Sequence, residues 1–314
     1  MAYTNTDTNM TTSSALSAGM QTYYNRELLR TFEPNLVHLQ FGDEHRMPPH
    51  SGLVMNMRKL IPLETNTKAL SEGDPGESVM LAETEVTVQL QQYGEYARCT
   101  DKLDLTHLDM DIMRRTKLFG DAGARSIDAV VREELAKCAN VIYAGGKASR
   151  AELTAADKLT SRELRKAVKT LKKNHAQTFG GYYVAIIGPD TMYDLQEDEA
   201  FVKVSQYQDK ENIYTGEVGR LFGVRLVETT EAKIFEGVGA SGADVASVIV
   251  LGQYAYGVTS LKGAKPRVIV KLAGSAGTAD PLDQISTVGW KMDGFGAKLL
   301  QPEYAVRIEC GFSA

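Results

Sequence analysis

The residues best suited to chemistry are three acidic side chains around one histidine. Asp104, His107, Asp109 and Asp111 lie close together in the chain, and carboxylate oxygens and imidazole nitrogens bind divalent cations. Asp109 and Asp111, however, would point to different faces of a helix. We expect a solvated acidic stretch that partly caps a helix, and we keep a metal-dependent enzyme built on these residues as the weaker alternative.

Other enzyme signatures are incomplete. Gly145-Gly146-Lys147-Ala148 resembles the end of a phosphate-binding loop, but Val141 replaces its first glycine and Ala148 its magnesium-binding hydroxyl residue. The paired glycines are more typical of a helix terminator. There is no G-x-S-x-G elbow, and no serine or cysteine can be paired with a histidine from the sequence. The sequence therefore predicts that the protein is not an enzyme and has no catalytic, cofactor or metal site.

Composition limits the remaining classes. The chain has 314 residues, of which 43% are hydrophobic, and this is enough for two cores. Its formal net charge of -5 gives no whole-protein attraction to nucleic acid or to an anionic membrane. Cys99, Cys138 and Cys310 are far apart, which indicates reduced, packed thiols made in a cytosol. The sequence predicts neither a signal peptide nor a membrane span.

The clearest structural signal is a long two-stranded hairpin from Met47 to Asp101. Both halves place apolar side chains at every second position, as strands do. One side of the first half carries Leu53, Met55, Met57, Ile61 and Leu63, and Thr84, Val86, Val88 and Leu90 alternate with polar residues in the second. The turn between the halves is acidic and rich in glycine, with Glu72, Gly73, Asp74, Pro75, Gly76 and Glu77. An isolated ribbon is marginal in water, so this arm must lie on its own domain or on another copy of the chain.

The rest of the chain predicts an α+β protein. Residues 1 to 14 read as a mobile arm, followed by a short amphipathic helix from Leu16 to Glu33. Helices are expected at 103–118 and, as a long spine, at 122–143. A capping box at Thr160–Glu163 opens a further helix that ends near Lys173. Strands are expected at 182–187, 223–228, 245–251, 268–272 and within 285–312.

The helix after Thr160 is strongly basic. Its cations, with the preceding lysine, are Lys158, Arg162, Arg165, Lys166, Lys169, Lys172 and Lys173. They read as spread around the helix, without interleaved aromatic residues. This favours a solvated face or an ionic partner surface over nucleic-acid contact.

The order of arm, hairpin, spine helix and α+β domain resembles the major capsid proteins of tailed bacteriophages, which have the Hong Kong 97-type fold. Several segments are similar to the N-four-like branch of that family. They are Leu159–Arg165, Gly216–Gly219 continuing through Gly223–Thr229, Leu251–Gly257, and Asp280–Gln284 running into Gly289–Lys291.

The resemblance implies an architecture and a role. Residues 1–46 would be an N-terminal arm, 47–101 an extended loop (the E-loop), 102–154 with 281–314 a peripheral domain containing the spine helix, and 155–280 an axial domain. Pentamers and hexamers of the chain would close an icosahedral shell around double-stranded DNA, which they would contact non-specifically. Portal, scaffolding and decoration proteins are further partners of such shells. The chain would lie in the virion capsid, and in the host cytoplasm during assembly.

Two questions stay open at this stage. Encapsulating nanocompartments of cells resemble phage capsids, so a nanocompartment shell is an alternative to a phage shell. The surfaces that join subunits are also not defined by any motif. We expect the acidic tip at 72–77 to reach a neighbouring subunit, where the helix bearing Arg162, Arg165, Lys166 and Lys169 is one candidate surface.

Overall fold

The computed structural model of the protein describes residues 36–48, 50–60, 67, 69, 73, 78, 80–81, 83–102, 112–198, 201, 220–261, 265–275 and 280–313. The predicted arm at 1–14 and helix at 16–33 lie outside these residues. The described elements form an α+β fold of three helices and two large sheets beside one hairpin. The helices are α1 (Ile112–Leu135), α2 (Ser161–Lys173) and α3 (Pro189–Gln196).

The first sheet has seven strands and separates two hydrophobic cores. Its order is β5 (Val141–Tyr143), β14 (Ala305–Cys310), β10 (Val245–Leu251), β6 (Tyr183–Ile187), β8 (Val224–Glu228) and β7 (Arg220–Leu221), with β9 (Ile234–Phe235) beside β10. Every residue of β10 is buried because both faces are covered. Val248 and Val250 pack in the core of α2 and α3, whereas Ile249 and Leu251 pack in the core of α1.

The second sheet lies along the spine helix α1. Its order is β1 (Asp43–Met47), β11 (Tyr256–Leu261), β13 (Ile285–Leu299) and β12 (Arg267–Lys271), and β4 (Gln91–Thr100) also pairs with β13. The register of β13 against β4 shifts between Met292 and Phe295, where Gly294 has a φ of 71°. Such a bulge bends a long strand. Along the edge opposite β4, β13 pairs first with β12 and then with β11.

The spine helix differs from its prediction at both ends. Helix α1 runs without a break from Ile112 to Leu135, where separate helices at 103–118 and 122–143 were expected. Ile127, Val131 and Leu135 do face the core. The extension to Tyr143 is wrong because Val141–Tyr143 pairs in parallel with β14 instead. Arg307 stabilises this ending, since its guanidinium donates to the carbonyl oxygen of Ala136 at the helix terminus.

The hairpin predicted from Met47 to Asp101 is confirmed in part, because β4 lies within that span and pairs with β13 instead of with the first half. Strands β2 (Val54–Leu60) and β3 (Glu83–Gln89) pair in antiparallel register, with Val54 opposite Gln89 and Leu60 opposite Glu83. The alternation in the second half also holds, because Val88 and Leu90 are buried while Gln89 is exposed. The strands predicted at 182–187, 223–228, 245–251 and 268–272 appear as β6, β8, β10 and β12 within a residue at most positions.

Candidate assembly surfaces

Among the described residues, the β2–β3 hairpin is anchored to its own subunit through its paired strands, which we call its root. Met57 and Val88 are buried there, and a Cβ added to Gly296 of β13 would lie 2.9 Å from Val88 Cγ1. Lys59 Nζ lies 2.7 Å from Glu303 Oε2, and this hydrogen bond lowers the pKa of the Glu303 carboxyl. The root is therefore positioned by packing and by one ion pair.

Beyond the root, the described side chains face solvent. Met80 is 90% exposed and Leu81 is 73% exposed, although large apolar side chains are usually covered in a finished structure. At the tip, Gly73 is exposed with a φ of 86°, the left-handed conformation that favours glycine. Glu72, Asp74, Pro75, Gly76 and Glu77 lie outside the described residues.

The basic helix α2 presents one charged face, not the scattered cations that its sequence indicated. Leu164, Ala167, Val168 and Leu171 are buried, so the opposite face carries the charges. Arg162, Arg165, Lys169, Lys172 and Lys173 are exposed, and Lys166 is half-buried. These positions recur every three or four residues, which places them along one stripe.

The stripe is weakly neutralised within the subunit. Lys166 Nζ lies 3.6 Å from Glu163 Oε1, and the Arg165 guanidinium lies 5.0 Å from the centre of the Phe222 ring. Within the described part of the chain, no ion pair involves Arg162, Lys169, Lys172 or Lys173. An exposed row of cations without acidic partners is suited to an anionic surface.

The start of α2 is held by two carboxylates. Thr160 is the N-cap, but its hydroxyl contacts the Glu163 carboxylate and makes no capping hydrogen bond to a backbone N–H, so the reciprocal bonds of the predicted capping box are not formed. The backbone N–H of Ser161 donates to Asp198 Oδ2 at 2.7 Å. Because Asp198 follows α3, this bond also connects the two helices. The basic stripe is thus presented by a helix whose orientation is fixed.

The predicted chemical residues form no site among the described residues. Asp104, His107, Asp109 and Asp111 lie outside them, and no described group of three or more histidine, cysteine, aspartate or glutamate residues could hold a metal ion. Gly145 and Gly146 form a turn at positive φ after β5, not a helix terminator. Cys99, Cys138 and Cys310 are buried and unpaired, as expected.

Sequence reasoning missed two buried pairs of polar side chains. His38 Nδ1 lies 2.5 Å from Asp128 Oδ2, and both side chains are almost fully buried. Glu309, which is completely buried, receives hydrogen bonds from Arg150 at 2.6 and 2.7 Å. The Glu309 carboxylate raises the pKa of Arg150. Each pair joins segments far apart in the chain, so no local motif could identify it.

A shallow groove crosses the face of the second sheet that points away from α1. It has a volume of about 620 Å³ and is lined by Tyr96, Ile269 and Ile285, with Gly289 between the first two. Lys271 and Lys291 are also at its margin. The described helices include no segment long and apolar enough to cross a membrane.

Solved structures of phage capsids have the same fold as this chain. The Ralstonia phage GP4 capsid matches with a TM-score of 0.69 at 14% identity, covering 100% of this chain and 98% of that one. The capsid of cyanophage P-SCSP1u matches with a TM-score of 0.66 at 16% identity, covering 88% and 89%. A virus-like particle from Pyrococcus furiosus has a TM-score of 0.55 at 12% identity, covering 92% and 99%. The fold is thus the Hong Kong 97-type fold of viral shell proteins.

The family comparison identifies the chain more closely than the fold does. The model of the phage capsid protein family matches residues 83–308, and this chain belongs to that family. It is a structural protein, the major capsid protein that forms the shell of a phage head and lies in the virion capsid. The family match decides between the phage shell and the nanocompartment or enzyme alternatives. No curated protein matches the chain in sequence.

Proposed function

We propose that this capsid protein belongs to the N-four-like branch of tailed phages, and that its pentamers and hexamers close an icosahedral shell around double-stranded DNA. The segments Leu159–Arg165, Leu251–Gly257 and Asp280–Gln284 support the branch. Portal, scaffolding and decoration proteins are proposed as further partners, with non-specific contact to the packaged DNA. Portal and packaging genes beside this gene would support the proposal, and a cargo-enzyme gene in their place would contradict it.

We place the domains as the resemblance implies, with an arm at 1–46, the E-loop at 47–101, a peripheral domain at 102–154 and 281–314, and an axial domain at 155–280. The pairing of β11 and β12 with β13 favours counting residues 256–271 with the peripheral domain. The cores of α1 and of α2 share the seven-stranded sheet. The two domains would therefore move together about that sheet and not as bodies joined by a linker.

The hairpin carries the proposal for how subunits join. Its root is packed on its own subunit, whereas Met80 and Leu81 are left exposed. We assign the tip at 72–77 to a neighbouring subunit, with the stripe of Arg162, Arg165, Lys166 and Lys169 as its receiving surface. Three acids at a turn attract such a stripe, yet one exposed ion pair contributes only about 0.2 to 1 kcal/mol. The strength of the shell would come from repetition over many copies and from packing along the arm.

The test removes the E-loop beyond its paired strands. Because Leu60 lies opposite Glu83, replacing residues 61–82 by Asn-Gly joins two paired residues through a two-residue turn. We expect the variant subunit to fold with an unchanged circular dichroism melt and to form no shells in electron micrographs. Normal shells from this variant would contradict the proposal, and so would an unfolded subunit.

Charge reversal on α2 then tests the receiving surface. Arg162→Glu with Lys169→Glu should reduce shell yield, because the stripe would repel the acidic tip. Lys172→Glu with Lys173→Glu is the matched control, since it changes the same charge on the same exposed face outside the proposed contact. Equal yields from the two double variants would show that the tip binds elsewhere.

A further inference from the structure

Strand β4 has a long edge that nothing described covers. It is ten residues long and, among the described strands, pairs only with β13. Its side chains are exposed on both faces of the sheet from Gly94 to Arg98, and Tyr96 is 61% exposed. Proteins usually shorten, charge or cover such an edge, because its unpaired backbone groups bind other strands. In a protein that assembles with itself, an open edge of this length is suited to pairing.

The hydrogen-bond pattern shows which residues face outward. Asp101 N–H donates to Gln284 O at 3.0 Å, in step with the register that sets Thr100 opposite Ile285. In an antiparallel pair, every second residue of a strand turns its N–H and C=O to the same neighbour. The odd-numbered residues of β4 therefore bond to β13, and Gly94, Tyr96 and Arg98 turn theirs to the open edge.

The side chains allow this edge to pair with itself. Two β4 strands can meet in antiparallel orientation with Ala97 of one copy opposite Ala97 of the other. The outward-turned Tyr96 of each copy then lies opposite Arg98 of the other copy. Within one chain the Arg98 guanidinium already lies 5.7 Å from the centre of the Tyr96 ring, a contact that an opposing arginine can reproduce. Centring the pair on Glu95 would instead set two carboxylates directly opposite each other, which is unfavourable.

We propose that β4 is a second assembly surface, at which two copies of this chain join their sheets by antiparallel pairing of residues 94–98 about a local two-fold axis at Ala97. The contact is isologous, because the same edge serves both copies. It relies on the self-association of the family and not on the contact proposed for the E-loop. Ala97 suits the axis because its small side chain lets the two strands approach.

A disulfide tests the register directly. Ala97 would face its counterpart in a non-hydrogen-bonded pair, where Cα atoms are about 4.5 Å apart, a separation that a disulfide can bridge. Glu95 points to the same face, but its counterpart would be displaced by four residues, or about 14 Å. Shells would be made from Ala97→Cys and, as a matched control, from Glu95→Cys. Both need a Cys99→Ala background, since Cys99 would lie opposite residue 95 of the second copy, whereas Cys138 and Cys310 are buried in the cores.

After mild oxidation of intact shells, most Ala97→Cys chains should run as dimers on a non-reducing gel, and Glu95→Cys chains should stay monomeric. Electron microscopy of the same samples confirms that shells are present, so the result does not depend on the E-loop contact. Monomeric Ala97→Cys chains in intact shells would overturn the proposal. Equal crosslinking of the two variants would also overturn it, because it would show collision of mobile segments without a fixed register.

Discussion

The buried pair of His38 and Asp128 should hold the segment before β1 on the spine helix. Asp128 lies on α1, and its carboxylate accepts the backbone N–H of His38 at 2.7 Å as well as the ring contact at 2.5 Å. Tyr256 adds a third connection, because its hydroxyl donates to the carbonyl oxygen of His38. Burial, followed by the charge of Asp128, raises the pKa of Tyr256, so this hydroxyl remains a donor.

The loss of stability expected on breaking this pair follows from its burial. His38→Ala would leave the Asp128 carboxylate buried with only the backbone hydrogen bond, and breaking such a pair costs about 3 to 5 kcal/mol. For 314 residues an unfolding entropy of about 2.1 cal/mol/K per residue converts 4 kcal/mol into a fall of about 6 °C in Tm. His38→Leu with Asp128→Leu removes the unpaired charge, so this double variant should lose less stability than the sum of the His38→Leu and Asp128→Leu losses, by about 1 to 3 kcal/mol.

Urea denaturation of unassembled subunits measures these free energies, and limited proteolysis shows whether residues 36–42 are released. His45→Ala is the matched control, because His45 pairs with Asp43 at 3.1 Å while both side chains are about one third exposed. An exposed pair of this kind contributes about 0.2 to 1 kcal/mol. The reasoning fails if His38→Ala destabilises the subunit no more than His45→Ala does, or if the double variant shows simple additivity.

Three further outcomes are expected. Arg150→Ala should lower the free energy of unfolding, measured by urea denaturation, by about 1.5 to 3 kcal/mol. Arg150→Lys should show a similar loss, because the two hydrogen bonds to Glu309 need a guanidinium. Wild-type stability in the lysine variant would contradict this. Gly289→Ala should lower the free energy of unfolding by about 1 to 3 kcal/mol, because the added Cβ would lie 2.6 Å from a carbonyl oxygen of β4. A loss below about 0.5 kcal/mol would show that the two strands can separate to make room for it. Burial opposes ionisation of Asp194, but the hydrogen bonds led by Ser313 outweigh it and lower the pKa of its carboxyl. The stabilisation that the ionised Asp194 carboxylate gives the folded state is therefore present above about pH 4 and lost as the pH falls below it. Asp194→Asn should make the free energy of unfolding fall less steeply between pH 5 and 3, and an unchanged slope would refute the assignment.

Local periodicity was sufficient to predict the hairpin and the buried face of α2. Alternating side chains identify one face of a strand, and Leu164, Val168 and Leu171 recur at helical spacing toward the core. The same rule failed at the end of the spine helix. Cys138 and Ile142 continue the helical spacing, yet β14 offers Val141–Tyr143 a parallel partner. Pairing with a distant strand outweighed a weak local preference.

What the sequence by itself determined is the type of the elements with strong periodicity, because φ and ψ preferences and side-chain spacing act within a few residues. The class of protein came from the resemblance of several segments to a known family. The tertiary structure alone decided which distant groups meet. His38 and Asp128 are separated by 90 residues, and Arg150 and Glu309 by 159. The open edge of β4 likewise exists only because β13 binds one side of it. Such contacts depend on how whole elements pack and cover each other, and this information is not contained in any short segment.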